Sequence, residues 1–277
     1  MPAALLPADD HVHSEFSWDT GPHASMRDAC ARAVELGVPA VAFTEHVDFT
    51  RWSPGDVPLV HDQRPRDPGW YQPVDVQAYL ESIEACRDEF RGLTVRAGIE
   101  TGEPHLFAGS VERVLAQGPF ERVLGSLHSV VRHDELVGVG RVLRAEHPHE
   151  VVREYFGELL EMVRGSAVFE VLAHCDFPRR YWPDKRNLYR ENDFEDEYRA
   201  VFAALAASDR VLEVNTASPL ASVRLVRWWR ESGGRRVSFG SDAHVPWNVG
   251  QHFAQARDVV EAAGFRAGRD PGDFFRV

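Results

Sequence analysis

The sequence predicts an α/β protein in which seven parallel strands, each followed by a helix, close into a (β/α)7 TIM-like barrel. Short runs rich in β-branched and aromatic residues alternate with longer segments of helical period along all 277 residues. That alternation belongs to a mostly parallel sheet covered by helices. Histidines and carboxylates stand at the end of nearly every predicted strand, and a barrel is the arrangement that gathers strand ends around one mouth. The strand count alone also fits an open doubly wound sheet, so the placement of the polar residues decides. No internal repeat, low-complexity tract or change of composition marks a linker, and residues 1–277 are expected to form one domain.

The first strand is expected to end at residues 10–13. Over residues 24–36, Met26, Ala29, Cys30, Ala33, Val34 and Leu36 recur at helical spacing and Gly37 supplies the stop. A strand over 39–44 comes at once after it. Residues 49–73 are rich in Pro, Trp, Asp and Gly without periodicity and read as a long loop. Then come a helix over 76–90, a strand over 93–99, a helix over 110–116 and a strand over 122–126. An irregular stretch, 131–147, precedes a helix over 150–163. A strand over 167–173 leads into a loop at 176–189 and a helix over 194–207. The last units are a strand over 210–214, a helix over 220–230, a strand over 236–239 and a helix over 249–262, with a tail able to add an edge strand.

Composition narrows the function. The 43 acidic and 31 basic residues give a formal charge of −12, which repels a nucleic-acid backbone and makes long polynucleotides poor substrates. Cys30, Cys86 and Cys175 are odd in number and form no CxxC pair, so neither a disulfide framework nor a thiolate zinc site is expected. The first residues carry no basic segment ahead of an apolar run, and no run approaches the roughly 18 apolar residues of a membrane span. A cytoplasmic protein with no membrane partner is expected.

The strand ends carry the chemistry. His11 and His13 close the first strand, Glu45 and His46 the second, Glu100 the third, His128 the fourth, His174 the fifth, and Asp242 with His244 the seventh. The sixth ends in Asn215 and lacks such a residue. Two residues of spacing put His11 and His13, and likewise Asp242 and His244, on one face of an extended chain. Imidazoles mixed with carboxylates suit Zn, Fe or Mn, and a carboxylate such as Glu100 can bridge two ions. Ions paired at roughly 3.5–4 Å hydrolyse phosphate esters well. His23, His61, His105, His133, His147, His149 and His252 are assigned to solvated loops or helix surfaces.

The series His11-Val-His13, Thr44-Glu45-His46, Gly98-Ile99-Glu100, Gly125-Ser126-Leu127-His128, Ala173-His174-Cys175-Asp176 and Gly240-Ser241-Asp242-Ala243-His244 resembles the PHP (polymerase and histidinol phosphatase) phosphoesterases, in their order and over almost the whole chain. Within them it is most similar to the histidinol-phosphatase branch. The resemblance implies a distorted seven-stranded barrel with two or three divalent metal ions (Zn, Mn or Fe) at the C-terminal mouth. It implies one ion on His11, His13, Glu100 and Asp242, a second on Glu100, His128 and His174, and a third on His46 and His244 with Asp19, where some relatives have His. Glu100 and Asp242 would then act in catalysis. Residues 174–181 look like the segment that comes after the fifth-strand His in that branch, so Arg179 or Arg180 is expected to reach phosphate, with Arg132 a weaker candidate. For Glu103, three beyond Glu100, the alternatives are a group that supports a ligand residue or one that reads the substrate's ammonium; a solvated loop carboxylate is expected.

The resemblance further implies hydrolysis of a small phosphate monoester, L-histidinol phosphate, to L-histidinol and phosphate. The competing readings are a phosphoesterase acting on nucleotides or short oligonucleotides, a non-catalytic metal-binding module, and an amidohydrolase. The carbamylated-lysine form of the last is excluded because Lys185, the only lysine, falls in a loop.

Overall fold

The computed structural model describes residues 6–50, 73–183 and 187–277. Its strands are β1 (Asp9–Val12), β2 (Ala40–Val47), β3 (Thr94–Gly102), β4 (Arg122–Ser126), β5 (Ser129–Arg132), β6 (Glu135–Gly138), β7 (Val171–Leu172), β8 (Val211–Asn215), β9 (Arg236–Gly240) and β10 (Phe275–Arg276). The helices are α1 (Met26–Leu36), α2 (Val76–Glu89), α3 (Pro104–Leu115), α4 (Val139–Ala145), α5 (Pro148–Gly165), α6 (Glu195–Ala207), α7 (Val223–Glu231) and α8 (Phe253–Ala262).

Seven strands pair in parallel in the order β1-β2-β3-β4-β7-β8-β9 and curl into a TIM-like barrel, and β10 joins antiparallel on the far side of β9. The circle closes near the mouth. There Val12 bridges Ala243, Asp242 N–H donates to His11 O at 2.8 Å and His13 N–H donates to Ala243 O at 2.8 Å. At the opposite end β10 takes the edge of β9 at Arg236 and Val237, so the barrel is distorted there. Leu124, Val171, Ala173, Val211 and Phe274 pack as a small apolar floor, with the Arg122 guanidinium 4.4 Å from the Phe274 ring centre. Between Asp9 and Val12, three steps along β1 answer two along β2, since Asp9 pairs with Val41 and Val12 with Phe43.

Local chemistry explains the boundaries. Ser25 caps α1 by accepting from Asp28 N–H, and Gly37 ends it in the left-handed region at φ 74°. The expected tail strand is β10. Residues 131–147 are not irregular: β5 and β6 form a hairpin and α4 begins directly after it. The hairpin turn is His133-Asp134, at φ 51° and 63°, a left-handed pair more often signalled by Asn-Gly. Helix α3 starts six residues earlier than expected, at Pro104, because proline suits a first helical position and Glu103 ahead of it turns left-handed. The strand expected over 167–173 is regular only at Val171–Leu172. Helices α7 and α8 begin later than expected, after Pro219 and after a 3-10 turn at Pro246–Asn248. Most of the loop expected at 49–73, and Lys185, lie outside the described residues.

The helices bury their apolar stripes against the outside of the barrel, the larger cluster lying between α5, α6, α7, α8 and the strands beneath them. Trp229 of α7 is fully buried there, edge-on to Phe202 at 5.7 Å, and its Nε1–H donates to Arg236 O at 3.0 Å. A Cβ on Gly234 would meet the indole at 2.1 Å, so glycine makes room for it. Trp229→Ala should cost about 3–5 kcal/mol in urea unfolding, from the cavity and the carbonyl left without its donor. No helix among the described residues is long and apolar enough to cross a membrane.

Candidate metal centre

The strand ends converge on Glu100. This fully buried β3 carboxylate lies 3.3 Å from His11 Nε2, 3.4 Å from His13 Nε2, 3.2 Å from His46 Nδ1, 3.3 Å from His128 Nε2 and 2.7 Å from His174 Nε2. Ser126 donates to its Oε1 at 2.5 Å, while Oε2 is buried without a hydrogen-bond partner. Burial pushes the Glu100 carboxyl upward, but the imidazoles of His11, His46 and His128 outweigh it and hold the group well below the usual range. A buried anion with an idle oxygen among imidazoles is the environment a cation completes.

The donor geometry supports that. His11 Nδ1 meets Glu213 Oε1 at 2.7 Å. His13 Nδ1 meets Ser17 Oγ at 2.9 Å, and that hydroxyl spends its own proton on Glu45 Oε2 at 2.6 Å. Both Nδ1 atoms are thereby placed as donors, which turns both Nε2 atoms, 3.1 Å apart, toward the space a cation would fill. His11 Nε2 and His13 Nε2 stand 3.6 and 3.3 Å from Asp242 Oδ1. A tetrahedral ion with bonds of roughly 2.0–2.1 Å sets its ligand atoms about 3.3 Å apart. His11 Nε2 and His13 Nε2 stand 3.1–3.6 Å from each other, from Glu100 Oε2 and from Asp242 Oδ1, close to that spacing, so the residues fit a divalent metal.

A second group joins Glu100 Oε1 to His128 and His174. In a third, Asp19 Oδ2 lies 2.9 Å from His244 Nε2 and 3.3 Å from His46 Nε2. His13 stacks beside this group, its ring centre 4.4 Å from that of His46 and 4.3 Å from that of His244.

The family model of the PHP domain matches residues 9–217. The chain belongs to the PHP domain family. A histidinol-phosphatase of Lactococcus lactis is 25% identical over 267 residues, covering 93% of this chain and 91% of that protein. A probable histidinol-phosphatase of Thermotoga maritima is 26% identical, with 93% and 92% covered. The crystal structure of histidinol phosphate phosphatase from Lactococcus lactis, complexed with Zn, L-histidinol and phosphate, superposes with a TM-score of 0.79 at 23% identity, covering 98% of this chain and 99% of that one.

Around the PHP mouth the structure also places residues that sequence reasoning missed or misread. Glu213 of β8 holds His11 and, through Oε2, the backbone N–H of His174 at 2.7 Å. It is the contribution of the sixth strand, two residues before Asn215 and on the same face; an acidic residue inside the apolar run Val211–Val214 was its signal. Glu213→Gln should weaken zinc binding about 10–100-fold with the fold retained. Competition against a chromogenic chelator measures this, and unchanged affinity would discard the role. Glu45 points away from the mouth, accepting from Ser14 and Ser17, because β2 continues to Val47 and alternation sends only His46 inward.

Glu103 is not solvated. It is fully buried, its Oε1 accepts the N–H groups of His128 and Ser129 at 2.9 Å each, and its Oε2 accepts from the Thr50 hydroxyl at 2.7 Å. Asp9 accepts from the N–H groups of Ser241 and Gly250 beside Asp242, and burial pushes it up to about 7. His174, Asp242 and Glu103 all have positive φ, a backbone cost concentrated at the site. His105 is half-buried against Glu158 rather than solvated.

The arginines separate. Arg180 reaches the mouth, donating to Asp242 Oδ2 at 2.5 Å, Asn215 Oδ1 at 2.9 Å and Ser218 Oγ at 2.5 Å. Arg179 turns away to Glu191 at 3.0 Å and Asp176 at 3.5 Å. Arg132 pairs instead with Glu146 and Glu154. Beside Asp242 and His244 opens a cavity of about 700 Å³, lined also by Thr216, Ser218, Asn248 and Gln251.

Proposed function

We propose that this PHP protein is a metal-dependent phosphomonoesterase whose substrate is L-histidinol phosphate. The observation that carries the reading is the convergence of five imidazoles on Glu100, with His11 and His13 also within 3.6 Å of Asp242. His11, His13, Glu100 and Asp242 would hold one cation, Glu100, His128 and His174 a second, and Asp19, His46 and His244 a third. Divalent cations there would lower the pKa of water and stabilise charge on the phosphoryl oxygens. The chain's own groups do the rest. Glu213, and Glu45 acting through Ser17, fix the tautomers of His11 and His13. Arg180 keeps Nη1, which has no acceptor among the described residues, for a phosphate oxygen. The cavity beside Asp242 would seat the leaving alcohol, its side-chain amides offering donors and acceptors to a polar group.

The substrate rests on the relatives, which are named histidinol-phosphatases and match over nine-tenths of this chain. Steady-state kinetics on metal-loaded protein test it, with L-histidinol phosphate compared against AMP, a short oligonucleotide and simple phosphate monoesters. The highest kcat/KM is expected for L-histidinol phosphate. A higher value for AMP or the oligonucleotide would move the substrate to nucleotides, and inactivity on every ester with the ions in place would leave a non-catalytic module.

A further inference from the structure

Asp48 comes directly after β2 and points under the mouth, where neither the motif series nor the three cation groups use it. It is fully buried. Trp18 Nε1–H donates to its Oδ2 at 3.2 Å, while Oδ1 is buried with no hydrogen-bond partner. The space it occupies is kept open by Gly102, since a Cβ there would stand 2.2 Å from Asp48 Oδ1. Two imidazoles face it, one from β2 and one from the segment between β4 and β5. His46 Nδ1 lies 3.5 Å from Oδ2, and His128 Nδ1 lies 3.9 Å from Oδ1.

In each ring the other nitrogen serves a cation group. His46 Nε2 is turned to Asp19 at 3.3 Å in the third group, and His128 Nε2 to Glu100 at 3.3 Å in the second. An imidazole that gives one nitrogen to a cation donates its other N–H, and a carboxylate is the usual acceptor. Glu100 Oε2, at 3.2 Å, is the other acceptor near His46 Nδ1. That oxygen also faces His11 and His13, so a cation in the first group would engage it and leave Asp48 for His46.

We propose that Asp48 is a positioning residue shared by two ligand histidines, orienting His46 and His128 together and so linking the second and third cation groups. The inference rests on reading the mouth as a metal centre. Its role is to fix ring orientation, and it touches no substrate.

Zinc titration of the metal-stripped full chain tests it, with bound ions counted by elemental analysis and imidazole N–H protons followed by NMR. Asp48→Asn keeps the shape and removes the charge. It should weaken zinc about 10–100-fold at the groups containing His46 and His128, shift the Nδ1–H signals of those two rings, and leave the His11, His13 and Asp242 group at wild-type affinity. Trp18→Phe frees the carboxylate without removing it, and should give the same pattern to a smaller extent. Wild-type affinity at all groups in both variants, or equal loss at all of them, would overturn the assignment. A wild-type chain that takes up no zinc would instead sink the reading of the mouth itself, and the assignment with it. Because no ester is turned over, failure of the histidinol phosphate proposal alone would leave these outcomes unchanged.

Discussion

Glu100→Gln should empty the first two cation groups and lower phosphatase turnover by roughly three to five orders of magnitude, the several kcal/mol that metal activation supplies. The amide fills the same volume, so the barrel should stay folded by circular dichroism. It cannot serve as the shared anion, and its NH2 would donate to an imidazole lone pair that a cation needs. Loss of ions with retained fold is the expected signature, read by elemental analysis beside single-turnover kinetics. Full metal content and wild-type turnover in this variant would remove Glu100 from its central place. Chelation of the wild-type protein should reproduce the loss, and added zinc or manganese should reverse it.

Arg180→Ala should lower kcat/KM about 10²–10³-fold, the scale of removing one donor to developing charge. Asp242 would also lose its neighbouring cation. Burial raises that carboxyl while Arg180 and His11 hold it well below the usual range, so zinc affinity at the first group should change as well. Arg180→Lys separates the effects: it keeps the charge beside Asp242 but loses the planar fork, so metal content should recover more than turnover. Arg179→Ala should leave turnover near wild type and lower stability, because its partners Asp176 and Glu191 lie outside the mouth. Equal effects at the two positions would contradict the separation seen in the structure.

Features dictated by local spacing were legible in the residues alone. Alternation along a strand puts His11 with His13 on one face, and the stop at Gly37 needs only a residue tolerant of positive φ. Other features depend on partners distant in sequence. Glu103 reads in sequence as a solvated carboxylate, because nothing local shows that it collects backbone N–H groups 25 and 26 residues further on. Asp48 and Glu213 are ordinary carboxylates until the barrel closes around them. The β5–β6 hairpin escaped because His133-Asp134 takes a left-handed turn without glycine or asparagine. Arg179 and Arg180 are neighbours, and only the 3-10 turn at Phe177–Tyr181 decides which of them faces inward.

The shifted pairing of β1 against β2 lets one short strand serve two storeys of the molecule. In regular pleating, Asp10 and His11 would point to opposite sides. Here the added step sends Asp10 inward at the lower level, where it takes up Arg122 at 2.9 Å and Arg96 at 3.4 Å. His11 also points inward, one level higher. The cation donors above and the ionic brace below thus hang from adjacent residues, so any slippage of this strand would disturb both levels together.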